Sequence, residues 1–392
     1  MLSTLLIFLI ILSILVLVHE LGHFLVAKKA GIKVEEFGFG LPPRIWGKKI
    51  GETIYSINVL PIGGFVKMYG EEGEVGKREA RSEKLERAFY AKSKKVRLAV
   101  VAAGVTMNFL LAVGIFSFVY AKLGIPVKTN QVRVVEIAPN SPASVSGLQL
   151  DDVIIKAGEE KIDDASKFIQ ATKKFAGQKM PLEIDRVNNP CKSNVMGATP
   201  GLVIACKDGN MLFYVTPRLN PPANEGPLGV AISQIENKFY PWPEQIVRGS
   251  IEGFKEAFGW IQLILSGLGT MLSQLFHGSV PKDVAGPIGI FQVTGEVSKG
   301  GILSLLQFLG ILSVNLAVIN ILPLPALDGG RVLFIVIETI TKRKVNQELE
   351  TKIHNIGMIV LLTLILLITI NDISRILTTF GILSRLRSLL PL

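Results

Sequence analysis

Four long apolar runs constrain this 392-residue chain more than any other feature. Residues 2–18 carry no charge and continue as an apolar helix to Ala27. Residues 98–121 form a 24-residue uncharged run, and residues 300–327 and 356–371 form two more. About 20 apolar residues cross the hydrocarbon core of a bilayer, so each run predicts a membrane span. With 49% hydrophobic and 19% charged residues, the chain does not read as an ordinary soluble enzyme. The first run is read as a retained span rather than a signal peptide. It lacks a basic start, it is too long, and His19 and Glu20 fall where the apolar core should be.

The net charge of +10 is unevenly placed. Residues 28–97 hold sixteen Lys and Arg against nine acids, whereas residues 128–256 hold fifteen of each. The excess lies beside apolar segments, as the positive-inside rule expects, and calls for no nucleic-acid partner. Lys28, Lys29 and Lys33 follow the first span; Lys92, Lys94, Lys95 and Arg97 precede the second; Lys342, Arg343 and Lys344 lie between the third and fourth. These flanks are expected to face the cytoplasm, which leaves both termini and residues 122–300 outside. A fifth apolar stretch, 259–276, would invert the third span if it crossed. Residues 243–276 are therefore expected as an interfacial amphipathic helix.

Between the first two spans, residues 34–70 read as β-structure. Phe37–Pro43 is rich in turn formers, Thr53–Val59 alternates, and Gly63-Gly64 separates it from Phe65–Tyr69. A β-hairpin dipping into the membrane from the inner side is expected, followed by a charged, solvated stretch over 71–97. Residues 128–218 have a soluble composition and predict one small α+β domain. Its expected strands are Gln131–Ile137, Asp152–Lys156, Leu182–Val187, Val203–Cys206 and Phe213–Thr216, with a helix capped by Asp164. Residues 219–243, rich in proline, read as a linker. Cys191 and Cys206 both fall outside the membrane, where a disulfide and two free thiols are both compatible with the sequence. The predicted class is thus a membrane α-helical protein of four transmembrane helices (1–27, 98–122, 300–340 and 354–371), with a β-hairpin and an extracytoplasmic α+β domain.

The chemistry concentrates in two places. His19-Glu20-Leu21-Gly22-His23 matches H-E-x-x-H. Histidines at i and i+4 share a helix face and can grip one Zn²⁺, with the intervening carboxylate placed to take a proton from water at the ion. The plainer reading is a chance pattern or a polar helix contact. Ionisable groups within a span are costly, however, and that weighs toward function. A catalytic zinc wants a third protein ligand and an open position. Asp328 is the candidate, because it is the only acid between Glu296 and Glu338. Its alternative is an ion pair with Arg331. His277 and His354 read as interfacial polar residues. Pro323 and Pro325 break the third helix, either as a kink or as an extended segment able to pair with an unwound substrate beside Asn320. Gly329 and Gly330 would allow close approach around the metal.

HELGH in the first span with NILPLPALDGG in the third resembles the site-2 protease family, in particular its bacterial regulator-of-sigma-E branch, over nearly the whole chain. The resemblance implies that His19, His23 and Asp328 are zinc ligands and Glu20 the catalytic base. It implies that Gly38 and Gly40, within Phe37–Gly40, belong to a substrate-handling β-element, and that Asn320, Pro323 and Pro325 hold substrate. Asn108 matches the asparagine of the family's second-span G-P-x-x-N, with Val105 where proline is usual, and is grouped with the substrate-binding residues. Asn140-Ser141-Pro142-Ala143 and Ser146-Gly147-Leu148 make the outer domain similar to a single bacterial PDZ domain. The implied substrates are single-span membrane proteins, such as trimmed anti-sigma factors and remnant signal peptides, cut in a bacterial inner membrane. A metal transporter and a catalytically silent scaffold are the rival classes.

Overall fold

The computed structural model describes residues 1–71, 85–186, 205–207, 210–222, 225–278 and 286–379. The chain divides into two compact units, residues 1–122 with 242–392, and residues 123–241. In chain order the first unit opens with α1 (Leu2–Lys29), β1 (Val34–Ile50), β2 (Thr53–Met68) and α2 (Lys94–Leu123). The second unit holds β3 (Ile125–Ile137), α3 (Pro142–Ser146), β4 (Val153–Ala157), β5 (Glu160–Lys161), α4 (Ala165–Lys174), β6 (Met180–Asp185), β7 (Ala205–Lys207), β8 (Asn210–Val215) and β9 (Val230–Lys238). The first unit resumes with α5 (Glu244–Phe276), α6 (Pro287–Lys299), α7 (Ile302–Ile321), α8 (Asp328–Thr341) and α9 (Gln347–Thr379).

Four of these helices are long and apolar enough to cross a membrane: Leu2–Lys29, Lys94–Leu123, Ile302–Ile321 and, within α9, Glu348–Ser374. Their contacts order residues by depth. Ile11 and Leu15 of α1 pack with Ile115 and Val119 of α2, and His23 lies against Val100. Gly310 of α7 faces Phe116, and Ser313 donates to the Asn108 carbonyl at 2.7 Å. Further along, Arg97 pairs with Glu338 of α8, and Lys94 donates to the Glu338 carbonyl. So α1 and the α7–α8 path descend together while α2 runs against them. α9 returns, with His354 against Ala326 and Asp372 accepting the Gly289 N–H of α6 at 3.0 Å.

The segment 300–340, read from sequence as one interrupted span, is two helices joined by a tight loop. Pro323 and Pro325 remove two backbone donors, so the α7 ladder cannot continue through them. The loop turns rather than extends: Leu324 N–H donates to the Leu322 carbonyl at 2.6 Å and Leu327 N–H to the Leu324 carbonyl at 3.3 Å.

α5 is a long amphipathic helix and is not one of the four long enough and apolar enough to cross, and one side of it packs on its neighbours. Gly249 and Gly253 bring its backbone against Ser117 and Ala121, and a side chain at Gly253 would collide with Ser117. Tyr120 and Trp260 both donate to Glu256, at 3.1 and 2.9 Å. Ala257, Trp260 and Ile264 then pack with Phe116, Val314 and Val318 of α2 and α7. One side of α5 thus packs on two neighbouring helices, while Ile251, Phe258, Leu265 and Leu272 stay exposed.

β1 and β2 pair as an antiparallel two-stranded element, joined at Gly51-Glu52. It is more folded than a plain hairpin. Phe37 has Val66 and Tyr55 as register partners, and Gly38 has Phe65 and Ser56, because both strands bend and pair twice.

In the second unit, one antiparallel sheet runs β7-β8-β6-β4-β3-β9, with β5 beside β4. Val132, Val134, Ile154, Leu182, Ile184 and Phe213 build its core with Phe168 of α4. Ser141 caps α3 by accepting the Ser144 N–H at 3.1 Å, and Asp164 caps α4 through the Ser166 N–H at 2.7 Å. Hydrogen bonds from the Ser166 side chain and then its amide hold the exposed Asp164 carboxyl below its usual range. The stretch 219–243 is not all linker. Val230–Lys238 forms β9, which closes the sheet on β3. Flanking prolines hid its alternation. The paired-cysteine alternative falls on Cys191, outside the described residues.

Candidate metal centre

His19 and His23 sit one turn apart on α1, both buried. Their Nε2 atoms lie 3.1 Å apart. Asp328, the first residue of α8, brings Oδ2 to 3.0 Å from His19 Nε2 and 3.2 Å from His23 Nε2. Three ligand atoms thus form a near-equilateral triangle. Zinc–ligand distances near 2.1 Å in a tetrahedron give edges of about 3.4 Å, slightly longer than the 3.0–3.2 Å found.

The protonation pattern supports a cation at that point. His23 Nδ1 is 2.8 Å from the Val100 carbonyl, which can only accept, so Nδ1 carries the proton and Nε2 offers a lone pair. Asp328 Oδ2 is buried, and among the described residues no hydrogen-bond donor satisfies it. Lone pairs on nitrogen and carboxylate oxygen facing one another at 3 Å repel unless a cation lies between them. Two imidazoles and one carboxylate are also a donor set that zinc hydrolases use. The residues present fit the ion.

Asn108 takes a different place from the one expected. Its fully buried amide stands 3.3 Å from His19 Nδ1, behind the ligand rather than beside a substrate path. Ligation through His19 Nε2 needs a proton on Nδ1, and a half-turn of the amide presents Oδ1 to accept it. In the placement described, that oxygen has no donor. Asn320 at the end of α7 lies 3.4 Å from His19 Nε2, on the metal side. Gly38 and Gly40 are accounted for by the β-element itself. A side chain at Gly38 would meet the Phe65 ring, and Gly40 has a φ of 78° with the Leu60 carbonyl against it. Pro323 and Pro325 lie in the loop that brings Asp328 to the histidines, and Pro325 packs on Gly357 of α9. Glu20 accepts the Val66 N–H of β2 at 3.1 Å. Arg331 does not pair with Asp328; its partner is Glu71.

Residues 7–364 match Peptidase family M50. The chain belongs to this family, the site-2 proteases. It is 33% identical over 366 residues to a zinc-metalloprotease homologue of Clostridium perfringens, covering 92% of this chain and 96% of that one. It is 29% identical over 443 residues to zinc metalloprotease RasP of Geobacillus kaustophilus, covering 94% and 97%. To the regulator of sigma-W protease RasP of Bacillus subtilis it is 28% identical over 447 residues, covering 95% and 99%. As a member, the chain is a membrane zinc metalloprotease with four candidate membrane helices and a mixed helix and sheet fold.

Further residues shape the surroundings of this cluster. Gly104 of α2 packs flat on the two imidazoles: a Cβ there would overlap His23 Nε2 and stand 2.7 Å from His19 Cε1. It stands at the glycine of the second-span G-P-x-x-N pattern that singled out Asn108. Replacing Gly104 with Ala is expected to displace both rings and lower zinc affinity by about 10–100-fold, read as zinc per chain after dialysis against a graded chelator. Gly329 and Gly330 serve the loop, since side chains there would collide with the Ile321, Leu322 and Leu324 carbonyls. His354, read as a polar edge residue, accepts the Ala326 N–H at 3.1 Å and ties α9 to the same loop. A cavity of about 800 Å³ reaches from Glu20, His23 and Asp328 to Lys344 and Glu350, room enough to admit water.

Proposed function

We propose that this protease cuts the transmembrane segments of single-span membrane proteins, with His19, His23 and Asp328 as zinc ligands and Glu20 as the catalytic base. The observation that carries the reading is the triangle of three inward-facing acceptors, set where α7 breaks among apolar helices, with Glu20 on the same turn of α1. When bound, zinc polarises a carbonyl and brings the pKa of water toward neutral. Glu20 then holds the proton taken from water and returns it to the leaving amine. Val66 N–H fixes one Glu20 oxygen at 3.1 Å and leaves the other for that transfer. Asn320, beside His19, is placed to steady the carbonyl under attack.

A helical substrate hides its peptide bonds and must unwind before it is cut. Residues 320–325 and the 34–70 β-element, with Gly38 and Gly40 in its first strand, would hold it extended by strand addition. The Bacillus subtilis relative is a regulator of sigma-W protease, which supports substrates of the anti-sigma-factor kind here, along with remnant signal peptides. The second unit reads as a single PDZ-like domain, outside the membrane with both termini, and residues 34–70 as dipping into the bilayer from the inner side. Lys28 and Lys29 end α1, and Lys94 and Arg97 meet Glu338, which supports a site near the cytoplasmic face of a bacterial inner membrane.

The test is cleavage of a single-span substrate by the pure protein in proteoliposomes. Cuts within the span that stop with a zinc chelator and return with zinc support the reading. Zinc-dependent ion flux without cleavage would move it to transport.

A further inference from the structure

The charged residues nearest the metal centre include two that the proposed chemistry does not use. Arg331 lies one turn beyond Asp328 on α8 and pairs with Glu71, just past the end of β2. The Glu71 side chain is only 15% exposed. Its other oxygen accepts the Met68 N–H at 3.2 Å. Two residues earlier on the same strand, the Val66 N–H is held by Glu20. Alternate residues of a strand present their N–H groups on one edge, so Glu20 and Glu71 grip adjacent outward donors of β2.

We propose that Arg331 and Glu71 are positioning residues that fasten this edge of β2 to α8, so that Glu20 and Asp328 are held in one frame. The inference rests on the reading of Glu20 as the base. α1 carries Glu20 and α8 carries Asp328, and they are far apart in sequence. The path Arg331–Glu71–Met68–Val66–Glu20 joins them through one ion pair, two amide–carboxylate bonds and three residues of strand. Removing either charge strands the other in a mostly buried place, so the end of the strand must move. A catalytic group displaced by about 1 Å costs on the order of 100-fold in rate.

The experiment compares Glu71→Ala, Arg331→Met, the double variant and Arg331→Lys with wild type in proteoliposomes. The readouts are kcat, KM, zinc per chain, and hydrogen exchange of residues 63–70 against residues 94–110. The singles are expected to lose about 100-fold in kcat while keeping zinc, with residues 63–70 alone exchanging about tenfold faster. The double variant should be no worse than the worse single, and Arg331→Lys should recover part of the rate. Wild-type kcat in the singles, unchanged exchange at 63–70, or zinc lost in step with activity would each overturn the proposal. Glu20→Gln separates the two levels. If it still cleaves, the reading of the base fails; if it is silent while Glu71→Ala and Arg331→Met run normally, the positioning proposal alone fails.

Discussion

Glu20→Gln is expected to cut turnover of a single-span substrate by about 10²–10⁴-fold while leaving zinc bound. The substitution is close to isosteric. Gln still offers an oxygen to the Val66 N–H, so the contact between α1 and β2 survives. Neither metal-facing nitrogen nor Asp328 Oδ2 is touched. What disappears is the capacity to hold a proton between water and leaving amine. Single-turnover cleavage and zinc per chain, measured on one preparation, check this. Full activity with normal zinc would remove Glu20 from the chemistry.

Asp328→Ala carries the second large effect, on metal rather than rate alone. The variant removes one corner of a triangle whose sides are 3.0, 3.1 and 3.2 Å. Two imidazoles on one helix turn remain, and zinc affinity should fall by more than about 100-fold. Even losing a residue that only orients a ligand costs about 10–100-fold. Asn108→Ala, which leaves all three ligands in place, should fall in that milder range. Competition against a fluorescent chelator gives both numbers. Equal affinities for the Asp328 and Asn108 variants would mean that Asp328 supports the histidines rather than binding the ion.

That His19, Glu20, His23 and Asp328 belong to one cluster was legible because cost makes such residues conspicuous. Two histidines and a glutamate at helical spacing inside an apolar run, and one acid between Glu296 and Glu338, have few structural excuses in a membrane. The four apolar helices were legible for a similar reason, since length and composition alone mark them. What lay behind that cluster was legible only in part. Gly104 and Asn108 stand at the glycine and asparagine of the second-span pattern, but that pattern does not say that one packs on the two imidazoles and the other faces His19. Val100 acts through its carbonyl, which carries no residue-type signature. Glu71 and Arg331 are far apart in sequence, and nothing in either local pattern points to the other. β9 was missed because prolines on both sides outweighed the alternation of Val230–Ile235. The helix over 243–276 was legible as amphipathic, but its packing on α2 and α7 was not, because an apolar face can meet a membrane surface or neighbouring helices equally well.

The zinc environment itself tests the central claim most directly. X-ray absorption at the zinc edge of the wild-type protein should show one ion per chain. Its inner shell should hold two imidazole nitrogens at about 2.0–2.1 Å and oxygen at about 2.0–2.2 Å. In Asp328→Ala that spectrum should change or vanish. A wild-type spectrum without imidazole scattering, or one identical in Asp328→Ala, would contradict a metal shared between α1 and α8.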